Sequence, residues 1–137
     1  QSFLDLSIRE ETILITNAII SFSEQDYGEV FKKLDHVYFK DPMFEILNKL
    51  YFLASAYELN EIIYLEENCN SLIRFVKNRD KVGPSSAVAA TKFGQLLKKI
   101  SKRKTPKKKL EVALQKTKHL YLRDWLREKI DLYEPFS

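Results

Sequence analysis

The stretch DPMFEILNKLYFLASAYELN, residues 41–60, decides the fold class of this chain. Its first two residues, Asp41 and Pro42, are a helix start signal, because an aspartate caps free backbone N–H groups and the fixed φ of proline suits the first helical turn. Asn60 tolerates the left-handed conformation that ends many helices. The stretch therefore predicts a helix over residues 42–59. Its apolar residues recur at spacings of three and four, as on one helix face: Met43, Ile46, Leu47, Leu50, Ala54 and Tyr57.

The same spacing continues on both sides of this stretch and predicts seven helices in all. Asp26 is placed to cap the second helix, and Thr105 followed by Pro106 predicts the start of the sixth. Residues 78–84 are the clearest connector. We therefore predict an all-α domain whose last helix closes the core around Trp125. The fourth helix is predicted from a further apolar stripe: Ile62, Leu65, Cys69, Leu72, Ile73 and Val76.

Length and composition fit a single domain over residues 1–137. Apolar residues make up 45% of the chain, which is too high a share for a disordered protein. No apolar run approaches the ~18 residues that predict a membrane span. The one cysteine allows no intrachain disulfide, and we expect a cytoplasmic location. Because the chain begins with Gln1, we also expect it to be a fragment of a longer protein.

Charge is distributed unevenly along the sequence. Residues 1–70 contain 13 acidic and 5 basic residues, whereas residues 71–137 contain 6 acidic and 18 basic residues. The densest basic run is KKISKRKTPKKK, residues 98–109, which we predict to be a turn between two helices with basic flanks. Such a run is typical of a solvated turn, but it is also suited to bind nucleic acid or another acidic surface. The candidate binding residues are Lys98, Lys99, Lys102, Arg103, Lys104, Lys107, Lys108 and Lys109.

No motif in the sequence indicates catalysis, and we predict no catalytic residue, no cofactor and no metal site. His36 and His119 have no second ligand three or four residues away, and Cys69 lies on an apolar helix stripe. The adjacent pair Glu10 and Glu11 does not share a helix face, so a solvated surface is expected there. We therefore do not expect an enzyme.

The predicted helices also recur as pairs. Odd-numbered helices begin every ~36–43 residues, within the range of helix-pair repeats, whose short pairs bury their apolar faces by stacking. We therefore predict a right-handed array of about three antiparallel helix pairs with a C-terminal capping helix.

Two segments resemble the tetratricopeptide-repeat family. They are ISFSEQDYGEVFKKLDHV, residues 20–37, and FLASAYELNEIIYLEENCNSLIRF, residues 52–75. The whole chain is similar to uncharacterised bacterial tetratricopeptide-like proteins. This resemblance implies a non-enzymatic protein–protein interaction scaffold that holds a partner segment in a groove, and hot-spot preferences point to tyrosines as the contacts. The candidates are Tyr51, Tyr57 and Tyr64. A further option is self-association between the acidic end of one molecule and the basic end of another.

Overall fold

The computed structural model describes residues 6–77 and 82–136, apart from the side chain of Tyr64. This part of the chain is entirely helical and holds no β-strand, which confirms the all-α prediction. A short 3-10 helix, Ile62–Tyr64, precedes α4. Residues 78–81 of the predicted connector lie outside the described residues. The seven α-helices are α1 Ile8–Ser23, α2 Tyr27–Leu34, α3 Pro42–Glu58, α4 Leu65–Lys77, α5 Pro84–Lys102, α6 Lys107–Lys116 and α7 Arg123–Asp131.

Local start signals account for three of the helix beginnings. The Asp41 carboxylate accepts hydrogen bonds from the backbone of Met43, at 2.8 Å, and Phe44, at 3.2 Å. Asp26 caps α2 in the same way, and Ser7 caps α1. These side chains satisfy backbone N–H groups that have no partner inside the helix.

The prediction for the start of the sixth helix was wrong in detail. Pro106, and not Thr105, is the N-cap residue of α6, and the helix begins at Lys107 without a side-chain cap. The backbone oxygen of Thr105 instead accepts a hydrogen bond of 2.6 Å from the Tyr133 hydroxyl. The backbone of Thr105 therefore takes part in a tertiary contact, and this contact could not be read from local sequence.

The chain divides into two compact units, Gln1–Asn68 and Cys69–Ser137. In the first, unit 1, helices α1, α2 and α3 pack against one another. α1 and α3 both end in Schellman motifs, whose left-handed residues are Gln25 and Asn60, so the prediction for Asn60 is confirmed. The core between the three helices is formed by Ile15, Ala18, Val30, Leu34, Val37 and Phe39.

Two buried glutamates hold the connector between α2 and α3. Glu11, which is 1% exposed, accepts hydrogen bonds from the backbone of Lys40, at 2.6 Å, and Asp41, at 3.4 Å. Glu45 accepts one from the backbone of Phe39, at 3.0 Å. The expectation that Glu11 lies on a solvated surface was therefore wrong, because this carboxylate satisfies backbone donors of the connector.

In the second unit, unit 2, α5 supplies the buried side chains Phe93, Leu97 and Ile100. The Phe93 ring lies 6.2 Å from the Trp125 ring of α7, centre to centre. Gly94 allows α4 to approach α5 closely, because a Cβ atom there would lie 3.1 Å from Cγ1 of Ile73. Unit 2 therefore has a core in which α5 contacts both α4 and α7.

Candidate functional site

The basic run 98–109 spans the turn between α5 and α6 and its basic flanks, as predicted: residues 98–102 end α5, residues 103–106 form the turn, and residues 107–109 begin α6. Lys98 and Lys99 lie in the last turns of α5, where lysine interacts favourably with the negative end of the helix dipole. Lys107, Lys108 and Lys109 occupy the first turn of α6, which contains no acidic residue. These three lysines add positive charge at the positive end of a helix dipole, so helix capping does not explain them.

Several residues of this run are bound within unit 2. The Arg103 Nε atom donates to the Glu134 backbone oxygen at 2.8 Å, and its guanidinium lies 4.2 Å from the centre of the Phe136 ring. Lys107 Nζ donates to the backbone oxygen of Asp131 at 2.8 Å. Together with the bond from Tyr133 to Thr105, these contacts tie the turn to the C-terminal residues 131–136. Part of the basic run therefore has a structural role.

The remaining candidate lysines differ in their surroundings. Lys98 is half-buried and donates to the Asn70 side chain at 2.9 Å, which links α5 to α4. Lys99 is exposed and lines a cavity. The other four are exposed around the turn and on the first turn of α6: Lys102, Lys104, Lys108 and Lys109.

The cavity beside Lys99 lies between α5 and the C-terminal end of α6 and has a volume of about 330 Å³. Every titratable side chain that lines it in the described structure is basic or histidine. Its apolar lining comes from Val88, Leu96 and Ala113. We call this feature the basic cavity. It concentrates positive charge in one concave place and has a partly apolar wall, and its titratable lining residues are Lys92, Lys99, Lys116, Lys118 and His119.

Arg123 fixes the backbone of the cavity wall contributed by residues 116–119. Its guanidinium donates to the backbone oxygen of Leu114 at 2.8 Å, to that of Thr117, and to that of Lys118 at 3.3 Å. The planar fork of arginine suits this multiple recognition of carbonyl groups. The bond to Leu114 satisfies a carbonyl that α6 leaves free near its C-terminal end, and the bonds to Thr117 and Lys118 hold the residues that follow the helix.

An apolar groove of about 300 Å³ lies along the other side of α5. It is bounded by Ile73 and Val76 of α4 and by Ala87 of α5. Val88, Lys92 and Gln95 line both the groove and the basic cavity. These three residues are spaced at i, i+4 and i+7, so they form one ridge along α5. A ligand that crosses this ridge meets positive charge on one side and apolar surface on the other.

The candidate tyrosines do not gather at the basic cavity. Tyr51 is half-buried and packs edge to face against Phe22, with ring centres 5.0 Å apart. Burial raises the pKa of the Tyr51 hydroxyl. Tyr57 is half-buried on α3, and the side chain of Tyr64 lies outside the described structure. Their contact with a partner stays a prediction.

Of the five titratable residues that line the basic cavity, only Lys99 was among the predicted binding residues. A signal for Lys92 was present, because it precedes Lys99 by seven residues and therefore lies on the same face of α5. Lys116, Lys118 and His119 carried no such signal. They join the site only because the fold brings the end of α6 beside α5.

Three further features of the part of the chain that the structure describes concern metal binding, the cysteine and membrane insertion. Within residues 6–77 and 82–136, no three His, Cys, Asp or Glu side chains are grouped to hold a metal ion. Cys69 is buried, as its place on the apolar stripe indicated. None of the described helices combines the length and the apolar character needed to cross a membrane.

Comparison with models of known protein families, with curated proteins and with solved structures found no match for this chain.

Proposed function

We propose that this chain is a non-enzymatic protein–protein interaction module that binds an acidic segment of a partner protein on unit 2. The observation that carries the proposal is the charge of the basic cavity, whose described lining contains four lysines and a histidine but no carboxylate. A concave surface with charges of one sign attracts groups of the opposite sign and speeds their association. Glutamate and aspartate side chains are such groups.

The apolar part of the site favours a protein segment over nucleic acid. Val88, Leu96 and Ala113 line the basic cavity, and the apolar groove continues beyond the α5 ridge. Proteins that bind single-stranded nucleic acid usually stack bases on aromatic rings. Among the described residues that line either feature there is no Phe, Tyr or Trp. An acidic peptide with apolar side chains is the better match.

The tetratricopeptide-like arrangement belongs to the same proposal. It consists of about three antiparallel helix pairs in a right-handed array, with the C-terminal helix as the cap. The mutual packing of α1, α2 and α3 in unit 1 supports this interpretation. In such a scaffold Tyr51 and Tyr57 are expected to contact the partner, as is Tyr64, whose side chain lies outside the described structure. Tyr57→Ala is then expected to weaken partner binding without changing the basic cavity.

Fluorescence anisotropy with short labelled probes tests the proposal. A peptide of glutamate and leucine is expected to bind, and a peptide with lysine in place of glutamate is not. Binding weakens as salt is added, because exposed charges are screened. The double variant Lys92→Glu/Lys99→Glu reduces the affinity roughly tenfold or more. Arg9→Glu/Lys32→Glu makes the same change in net charge on unit 1 and serves as the control.

Two outcomes contradict the proposal. One is that the glutamate–leucine peptide shows no binding at low salt. The other is that a single-stranded DNA oligonucleotide binds more tightly than this peptide and is released by Lys104→Glu/Lys108→Glu rather than by the cavity variant. The second outcome makes the chain a nucleic-acid binder that acts through residues 98–109.

A further inference from the structure

Unit 1 carries a surface of the opposite character, which we call the acidic corner and define as residues 58–67, where α3 ends and α4 begins. This segment contains four glutamates and no lysine or arginine. It also exposes large apolar side chains: Ile63 is 87% exposed, Ile62 is 52% exposed and Leu59 is 41% exposed. The predicted place of Ile62 in a buried stripe was therefore wrong. Exposed apolar groups clustered within a polar rim are typical of interaction sites.

The acidic corner is held in a defined shape. Asn60 adopts the left-handed conformation, and its backbone N–H donates to the Tyr57 oxygen at 3.1 Å. The backbone N–H of Glu61 donates to the Ala56 oxygen at 2.8 Å. These two bonds complete the Schellman motif at the end of α3. The motif fixes the direction in which the chain enters the 3-10 helix, so Ile62 and Ile63 are presented from an ordered backbone.

The acidic corner and the α5 ridge are complementary in chemistry. Val88 on the ridge is 46% exposed and borders the apolar groove, which offers a surface for a branched aliphatic side chain such as Ile63. Lys77 lines the groove, and Lys92 and Lys99 line the basic cavity. Glu61 on the corner is exposed. One surface therefore supplies apolar side chains with glutamates, and the other supplies an apolar groove with lysines.

We infer that a second copy of this chain supplies the acidic segment: the acidic corner of one copy docks on the α5 ridge of the next, with Ile63 in the apolar groove and Glu61 facing Lys92 and Lys99. This inference rests on the proposed function, because it names the partner for the basic cavity. The two surfaces differ, so the contact is heterologous, and an open assembly leaves one acidic corner unused at one end and one α5 ridge unused at the other. Such assemblies grow as chains or close as rings.

Sedimentation velocity of the full chain tests the inference. The wild-type sedimentation coefficient is expected to rise with protein concentration at low salt and to fall when salt is added. Two variants test the contact: the cavity variant Lys92→Glu/Lys99→Glu and the corner variant Glu61→Lys/Ile63→Ser. The self-association constant of each is expected to fall by roughly tenfold or more. Mixing the two variants restores one intact contact, because one contributes its corner and the other its cavity. The mixture is expected to form a pair that grows no further.

A matched control separates the acidic corner from any other acidic, apolar surface of unit 1. Ile20→Ser/Glu24→Lys removes an exposed isoleucine and reverses one glutamate on α1 and its cap, and it is expected to associate as the wild type does. The single variant Ile63→Ser, which leaves every charge in place, is expected to associate more weakly. Circular dichroism of each variant checks that the helices are retained.

Peptide binding keeps this inference distinct from the proposed function. The corner variant retains an intact basic cavity and is expected to bind the glutamate–leucine peptide as tightly as the wild type. If the wild type stays monomeric at every concentration, or the corner variant associates as the wild type does, the inference is wrong. The proposed function then still stands if the peptide binds. If the peptide fails to bind as well, both are wrong.

Discussion

At the scale of single residues, Glu11 stabilises unit 1 through its contacts with the α2–α3 connector. Its buried carboxylate accepts the backbone N–H groups of Lys40 and Asp41. We predict that Glu11→Gln lowers the free energy of unfolding by roughly 1.5–3 kcal/mol, because an amide group replaces one oxygen where a backbone donor needs an acceptor. Urea unfolding followed by circular dichroism measures the change. Glu24→Gln, at an exposed position, is the control, and equal stability of the two variants contradicts the prediction.

Gln25 lies two residues beyond the end of α1 and has a φ of 62°. Glycine adopts this left-handed conformation at less cost than glutamine. Its side chain is exposed, so little packing is lost on substitution. We predict that Gln25→Gly raises the free energy of unfolding by roughly 0.5–1 kcal/mol. Asn17→Gly, in the middle of α1, is expected to lower it by a smaller amount, because asparagine is itself a poor helix former. Thermal unfolding measures the stability of both variants. A lower stability of Gln25→Gly than of the wild type contradicts the prediction.

Residue roles could be predicted from sequence where the cause was local. The capping by Asp41 and the left-handed conformation of Asn60 depend on a few neighbouring residues, and both are confirmed. The role of Glu11 depends on a connector 29 residues away in sequence. The contact between Thr105 and Tyr133 spans 28 residues. No local pattern contains either pairing, because each arises from tertiary packing.

At the scale of elements, the turn between α5 and α6 depends on the C-terminal residues. The Tyr133 hydroxyl donates to the Thr105 oxygen at 2.6 Å, and Tyr133 is buried. We predict that Tyr133→Phe lowers the free energy of unfolding by about 1 kcal/mol, because the oxygen of Thr105 loses its hydrogen bond. Trp125, the only tryptophan, lies in the same unit and reports its unfolding by fluorescence. Tyr121→Phe is the control, and an unchanged midpoint for Tyr133→Phe argues against the prediction.

Arg123 links α7 to the end of α6 and thereby positions the wall of the basic cavity. We predict that Arg123→Lys weakens binding of the glutamate–leucine peptide several-fold, although the charge is kept, because an ammonium group lacks the planar fork that reaches several carbonyl oxygens. Anisotropy titration measures the affinity. Arg127→Lys, on the exposed side of α7, is the control. Equal affinity of Arg123→Lys and the wild type shows that the wall needs no such support.

The elements themselves were more predictable than the site they form. Periodic apolar residues and start signals located all seven helices, because helix formation follows from nearby residues. The basic run 98–109 was visible as consecutive letters, and its place in a turn is confirmed. The basic cavity was not visible, since it joins the face of α5 to the end of α6. Among the described residues, Lys99 is the only member of the basic run that also lines the basic cavity.

At the scale of the whole molecule, the net charge changes from negative to positive at the boundary between unit 1 and unit 2. Unit 1 ends at Asn68 and unit 2 begins at Cys69, and the acidic and basic parts of the sequence meet at the same place. The prediction of one continuous repeat domain remains a prediction. The division gives the charge imbalance a structural meaning, because each compact unit carries its own field. Opposite fields on two units of one chain favour head-to-tail association of copies.

Tyr51 makes the stability of unit 1, one of the two halves of the molecule, depend on alkaline pH. Burial raises the pKa of its hydroxyl, so the folded state keeps the proton at a pH where the unfolded state, with a pKa of about 10, has lost it. This contribution to stability is fully present below pH 10 and is lost as pH rises through the folded-state pKa. The slope for one proton is at most about 1.4 kcal/mol per pH unit.

We therefore predict that Tyr51→Phe loses less stability than the wild type between neutral and alkaline pH. Urea midpoints measured by circular dichroism across this range give the comparison, and lysine deprotonation affects both proteins alike. Tyr38→Phe removes the hydroxyl of an exposed tyrosine in the same unit and serves as the control. If Tyr51→Phe and the wild type lose stability in parallel, the Tyr51 hydroxyl is not desolvated in the folded protein, and this tyrosine is open to a partner.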